Sequence, residues 1–206
     1  MPLFKHQDVR PLGIAVMKGA GATEEEAALI VDHHIDAMLY GEGDHGYPLG
    51  TQYIPDMKDG TIKPGAPLTI EKETPTTLMV NGNFNFGHYV SHHVMTKLIA
   101  KAKTSMVAAA SIKYQCHVGR LIDYTAMAAR EGMVALMMCD GAWGPKFMAP
   151  TGGKDRRLGI NPWSMALPNA TGGIVGFDMT AAVSSGSKVI MAHQRGEKVP
   201  EGWILD

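Results

Sequence analysis

Glycine and proline recur so often in this chain that no single hydrophobic period survives for long. Twenty-four Gly and 12 Pro among 206 residues cut it into runs that alternate between helical and strand-like spacing, the pattern of an α/β fold with short elements. At ~100–200 residues per domain, the length suits one large domain or two small ones, with a real core. The strongest element opens at Thr23-Glu24-Glu25-Glu26. Thr23 and Glu26 form a capping box, three acids sit at the favourable end of the helix dipole, and Gly41 can end the helix. This predicts a helix over 24–40. A shorter helix is expected over 9–18, stopped at Gly19-Ala20-Gly21, and an amphipathic piece over 49–58.

Strand-like runs follow at 68–71 and 77–80, then a turn at Asn81-Gly82 and a helix over 88–103. The runs 106–112 and 133–138 flank a helix expected from Val118 to Glu131, which reads as a βαβ-like unit. Further runs at 163–167 and 174–179 are separated by a turn at 169–173. The expected division is a helical N-terminal lobe over 1–75 and an α/β domain over 76–206.

Composition excludes several classes of function. With 19 Lys+Arg against 20 Asp+Glu and no basic block, neither nucleic acid nor an anionic membrane is an expected partner. No stretch reaches the ~20 apolar residues of a membrane helix, and the N-terminus lacks the apolar run of a signal peptide. Cys116 and Cys139 cannot make a disulfide framework, so a cytoplasmic location is expected.

The chemistry-bearing candidates are histidines. Asp44-His45-Gly46 displays a carboxylate and an imidazole in a glycine-flanked loop, either as a surface histidine or as an acid/base group working near neutral pH. His117 stands where a strand-like run hands over to a helix, the edge at which α/β proteins collect ligands; a helix-capping histidine beside a structural Cys116 is the competing reading. His88 and His92, four residues apart, share a helix face and can in principle offer two zinc ligands, but no Glu completes a His-Glu-x-x-His motif. For these two, and for His33 and His34, a structural role is the better reading. Neither G-x-G-x-x-G nor G-x-x-x-x-G-K-[ST] occurs, so Rossmann and P-loop sites are unsupported.

The ordered set Asp44-His45-Gly46, Glu73-Thr74-Pro75, Gly87, His117-Val118-Gly119, Tyr124, Gly152-Gly153, Asn161-Pro162, Phe177-Asp178-Met179 and Glu201-Gly202-Trp203 resembles the type-2 malate/L-lactate dehydrogenase family. Sulfolactate and ureidoglycolate dehydrogenases and cyclic-imine reductases are among its members. The resemblance covers nearly the whole chain. It implies a non-Rossmann, sulfolactate-dehydrogenase-like fold with a helical N-terminal lobe and a mixed, largely antiparallel cofactor-binding sheet. It also implies NAD or NADP as cofactor, a small 2-hydroxy/2-oxo acid or related imine as substrate, and a homodimer. By position, His45, Asp44 and His117 match catalytic residues. His117, Val118, Gly119, Arg120 and Leu121, with Asp178, Met179 and Thr180, match cofactor-contacting segments, and Tyr53, Ile160 and Asn161 match substrate-side positions.

Some positions depart from the family pattern. Asp44 stands where the family often has Ser, and Leu49 where an Arg commonly clamps the substrate carboxylate. Losing that Arg removes both a charge and a bidentate fork; Arg120 or Lys146 is the candidate replacement. Family members also continue past the segment ending at Asp206, so the chain reads as truncated, with apolar faces left open. A catalytically impaired relative that survives as a dimerisation or ligand-binding module is the alternative function.

Overall fold

The computed structural model describes residues 4–204 except 142, 143 and 145, and the side chains of 48, 49 and 51 lie outside that description. The chain forms two compact units, residues 1–120 and 121–206.

The first unit begins with three helices, α1 (His6–Gly19), α2 (Glu24–Leu39) and α3 (Tyr47–Lys58), with a 3-10 turn at Gly43–His45 before the third. The capping box on α2 is present as expected, with Thr23 accepting from the Glu26 N–H. Glu26 does more than cap. Its side chain is buried, and one oxygen accepts from the Thr23 N–H at 2.9 Å while the other accepts from the Gly65 N–H at 2.8 Å and Asn85 Nδ2 at 2.7 Å. Three N–H donors therefore replace the water that burial removes, and they tie α2 to two distant loops. Replacing Glu26 with Ala removes the acceptor of the Gly65 N–H and one of the two acceptors of Asn85 Nδ2, which keeps the Ala66 carbonyl, and should cost about 2–3 kcal/mol, read from urea unfolding midpoints. Glu26→Gln, which keeps the shape but faces some donors with its own N–H2, should cost less.

Met17, Ala27, Ile30, Val31 and Ile35 from α1 and α2 pack with Tyr53, Ile62 and Phe86 into one core. A second small core lies under the sheet. There β1 (Thr69–Glu73) pairs antiparallel with β2 (Thr77–Asn81), and β2 pairs parallel with β3 (Ala109–Lys113). The parallel connection is α4 (Gly87–Ser105). Leu78 and Val80, alternate residues of β2, point onto Val90 and Val94 of α4.

In the second unit, α5 (Ile122–Arg130) lies against a wholly antiparallel sheet of β4 (Ala135–Met138), β5 (Trp163–Pro168) and β6 (Ile174–Met179). A further helix, α6, spans Gly186–Gln194. Ser164 and Ala166 are fully buried, and Gly176 lets Ile122 approach where a side chain would collide with it. The alternate positions Leu136, Met138, Trp163, Val175, Phe177 and Met179 remain exposed, so one sheet face presents large apolar side chains.

The structure corrects two expectations. The run 106–112 and the run 133–138 do not belong to one βαβ unit, because β3 joins the first sheet and β4 the second. The true parallel unit is β2-α4-β3, one element earlier. Nor does a helix begin at Val118. Gly119 adopts a positive φ of 69° and Arg120 donates its N–H to His33 Nε2 at 2.9 Å, so residues 115–120 are irregular and α5 starts at Ile122. A side-chain acceptor outside the segment has displaced the first turn of helix.

Candidate active site

In the first unit three segments converge on an imidazole cluster. The 3-10 turn supplies Asp44 and His45, α3 supplies Tyr53, and the irregular strand after β3 supplies His117. Glycine makes the approach of this strand possible: a Cβ on Gly87, at the start of α4, would collide with the carbonyl oxygens of Cys116 and His117. A Cβ on Gly119 would collide with the rings of His33 and His88.

The His45 and His117 rings lie near-parallel, 24° apart, with centroids separated by 6.4 Å. Asp44 is buried, and its Oδ1 sits 3.3 Å from His45 Nδ1, the loose geometry expected of adjacent residues. That carboxylate favours a proton on Nδ1 of His45, leaving Nε2 to exchange one with a ligand. Tyr53 is almost completely buried and its hydroxyl lies 2.8 Å from His117 Nδ1.

Behind these residues three further histidines close the floor. His88 meets His33 edge-on at 4.6 Å, and His34 stacks on Tyr53 at 5.9 Å. His34 and His88 are buried, and among the described residues neither His88 ring nitrogen nor His34 Nε2 has a hydrogen-bond partner. Desolvation, reinforced by mutual repulsion, lowers His34 to about 3 and drives His88 well below the ordinary 6.5. His117 is pushed down to about 4 by desolvation, then by His45 and His33. His117 nonetheless keeps an open face where water screens charge, and it is neutral at pH 7. Sequence reading classed His33, His34 and His88 as structural, and no local signal joined them to His117, because α2, α4 and the strand after β3 meet only in three dimensions. Among the described residues no set of three or more His, Cys, Asp or Glu side chains is arranged to hold a metal ion.

Cys116 is half-buried, with its thiol directed to the Thr61 and Phe84 carbonyls, and burial raises it to about 11. It is a structural thiol. Val118 is buried. Arg120 is also buried, pairs with Glu42 at 3.3 Å and lies over the Tyr40 ring, so it is committed locally. Lys146 is engaged by the Gly141 carbonyl at 2.9 Å and by Asp140 at 3.7 Å. Leu49 belongs to α3, and its side chain lies outside the described residues.

The remaining candidates belong to the second unit. Leu121 is fully buried at the start of α5, and Asp178 accepts the Ile122 N–H at 2.9 Å, capping that helix. Met179 pairs in register with Trp163, and the Ala181 N–H donates to the Ile160 carbonyl at 2.9 Å, so Ile160, Asn161, Met179 and Thr180 are neighbours. The Thr180 hydroxyl donates to the Ala182 carbonyl. Beside them an open recess of about 410 Å³ is lined by Met138, Cys139, Asp140, Asn161, Pro162 and Trp163. Asn161 holds a positive φ of 42°, and its Oδ1 is buried without a partner.

A family model for malate/L-lactate dehydrogenase matches residues 4–206. The chain belongs to the malate/L-lactate dehydrogenase family. Among relatives of this dehydrogenase-family chain, the malate/(S)-sulfolactate dehydrogenase of Methanothermus fervidus is 34% identical over 204 residues, covering 99% of this chain and 59% of that protein. The L-sulfolactate dehydrogenase of Methanothermobacter thermautotrophicus is 31% identical, covering 93% of this chain and 55% of that one. Among solved structures, sulfolactate dehydrogenase from Methanocaldococcus jannaschii superposes with a TM-score of 0.87 at 31% identity, over 98% of this chain and 57% of its own. Malate dehydrogenase from Entamoeba histolytica gives 0.91 at 28%, over 98% and 55%. The mixed α/β fold expected from the sequence is therefore that of the family, and the chain spans a little over half the length of these relatives.

Proposed function

We propose that the chain carries the proton-transfer chemistry of an NAD- or NADP-dependent oxidoreductase acting on a small 2-hydroxy/2-oxo acid of the malate or lactate type. The observation that carries this reading is the paired His45 and His117 rings beside buried Asp44, in a member of a dehydrogenase family. When a 2-hydroxy acid is oxidised, its hydroxyl proton must leave as the C2 hydride departs, or a full alkoxide charge develops. His45 is suited to take that proton at Nε2, because Asp44 lies at Nδ1 and leaves Nε2 as the free lone pair. In reduction His45 returns the proton to the carbonyl oxygen. His117, neutral at pH 7, adds no competing positive charge.

A bound nicotinamide dinucleotide supplies the hydride acceptor or donor. Asn161 is the residue that fits it. Asn161 lines the recess, and its Oδ1, closed to solvent and without a partner among the described residues, would accept from the carboxamide N–H2 of a nicotinamide if the side chain turned outward. The recess volume suits a single ring system, with Met179 and Thr180 alongside.

The test follows NADH or NADPH absorbance with a panel of 2-oxo acids and cyclic imines. Turnover is expected with at least one pair, and His45→Gln should reduce it about 10²–10³-fold without a comparable loss of stability. Light scattering on the same samples measures the homodimer. No turnover and no cofactor binding by calorimetry, from a cooperatively folded dimer, would replace this reading with the ligand-binding or dimerisation module.

A further inference from the structure

The hydrogen bonds around His117 determine which of its nitrogens carries a proton. Nδ1 lies 2.8 Å from the Tyr53 hydroxyl and 3.3 Å from the Gly119 backbone nitrogen. A backbone N–H can only donate, so Nδ1 must be the acceptor, and the Tyr53 hydroxyl, which can turn either way, must donate as well. A neutral imidazole accepting at Nδ1 carries its proton on Nε2. We infer that Tyr53 is a positioning residue: with the Gly119 amide it locks His117 into the Nε2–H tautomer, so His117 donates a hydrogen bond to the substrate oxygen while His45 exchanges the proton.

The two stacked rings are thereby given opposite characters. His45, with Asp44 at Nδ1, presents a lone pair at Nε2, whereas His117 presents a donor. One substrate oxygen needs both: a base for its proton and a fixed donor to hold its charge. Two donors aimed at Nδ1 also oppose an imidazolium on His117, since its new proton would face the Gly119 N–H. The groups facing His117 act in the same direction. His45 from the 3-10 turn, His33 and His34 from α2 and His88 from α4 surround it; of the carboxylates, Asp44 lies against His45, and Asp56 of α3 acts on Tyr53 and Cys116. Tyr53 is itself held rigidly, packed edge-on to Phe86 and His88 and stacked on His34. Its phenol is kept neutral, with burial raising its pKa, so it remains a donor across the working pH range.

The role in catalysis rests on the oxidoreductase reading, whereas the tautomer does not, and the experiment separates the two. Nitrogen-15 spectra of the chain with labelled histidine, assigned with His117→Gln, report the protonation of each ring nitrogen without any cofactor or turnover. The expected wild-type spectrum shows a bare Nδ1 and a protonated Nε2 at His117. In Tyr53→Phe, which keeps the ring packing and removes one donor, the titration midpoint of His117 should rise by about one pH unit. Incorporating 3-fluorotyrosine at position 53, a stronger donor, should move it down and serves if the Phe variant does not fold. A protonated Nδ1 in the wild type, or a midpoint unmoved by both replacements, would overturn the inference. Failure of turnover alone, with the expected spectra, would remove the oxidoreductase reading and leave the lock standing.

Discussion

Lowering the pH from 7.5 to 5 is expected to remove roughly 4–5 kcal/mol from the unfolding free energy, measured by urea titration at each pH. The sign follows from the buried imidazoles. His34 and His88 hold their pKa values far below 6.5 in the folded chain because burial penalises their charge. Unfolded, each returns to about 6.5 and binds a proton that the folded state refuses. Stability is therefore full above about pH 7 and falls progressively as the pH drops through 6.5 towards the folded values. Each group contributes about 2 kcal/mol by pH 5; His117, with its open face, adds less. Replacing His88 with Met should take about 2 kcal/mol off the loss over this interval, whatever it does to stability at pH 7.5. A flat stability profile between pH 7.5 and 5 would mean that these rings find protons or water in the folded chain.

Gly119→Ala is expected to cost about 3 kcal/mol or more. Two penalties act together there. The positive φ of 69° costs an L-residue about 1–2 kcal/mol, and the added Cβ enters the space of the His33 and His88 rings. Neither ring can withdraw easily, since His88 is enclosed and His33 is held by the Arg120 N–H. Backbone relief would move the Gly119 amide off His117, so the nitrogen-15 spectrum should change with the stability. Urea midpoints check the first effect, and a variant within about 0.5 kcal/mol of the parent would show that the 117–120 strand is freer than its contacts indicate.

Much of this was legible from local pattern. The capping box at Thr23 and Glu26 placed α2 to within a residue, and the Asn169–Gly173 turn between apolar runs placed β5 and β6, because each signal lies inside its own element. The Asp44-His45 loop could be named as a candidate for the same reason. What escaped was decided by partners distant in sequence. The helix expected from Val118 was displaced by His33, 87 residues away from Arg120. The supposed βαβ unit failed because strand pairing is a property of sheets, and nothing local to the 133–138 run says which sheet will take it. α6 had only the Ser185 cap as a signal, with no strong apolar stripe behind it. Tyr53 could be placed near the site by resemblance, but its hydrogen bond to His117 spans 64 residues and has no sequence signature.

Deuterium transfer tests the proposed chemistry most directly. The chain is incubated with NADH or NADPH carrying deuterium at both C4 positions of the nicotinamide, together with each 2-oxo acid of the panel, and the 2-hydroxy acid is examined by mass spectrometry and proton NMR. The expected product carries the deuterium at C2, and His45→Gln slows its appearance about 10²–10³-fold. Product with protium at C2, or undiminished transfer in His45→Gln, would contradict hydride transfer coupled to a proton on His45.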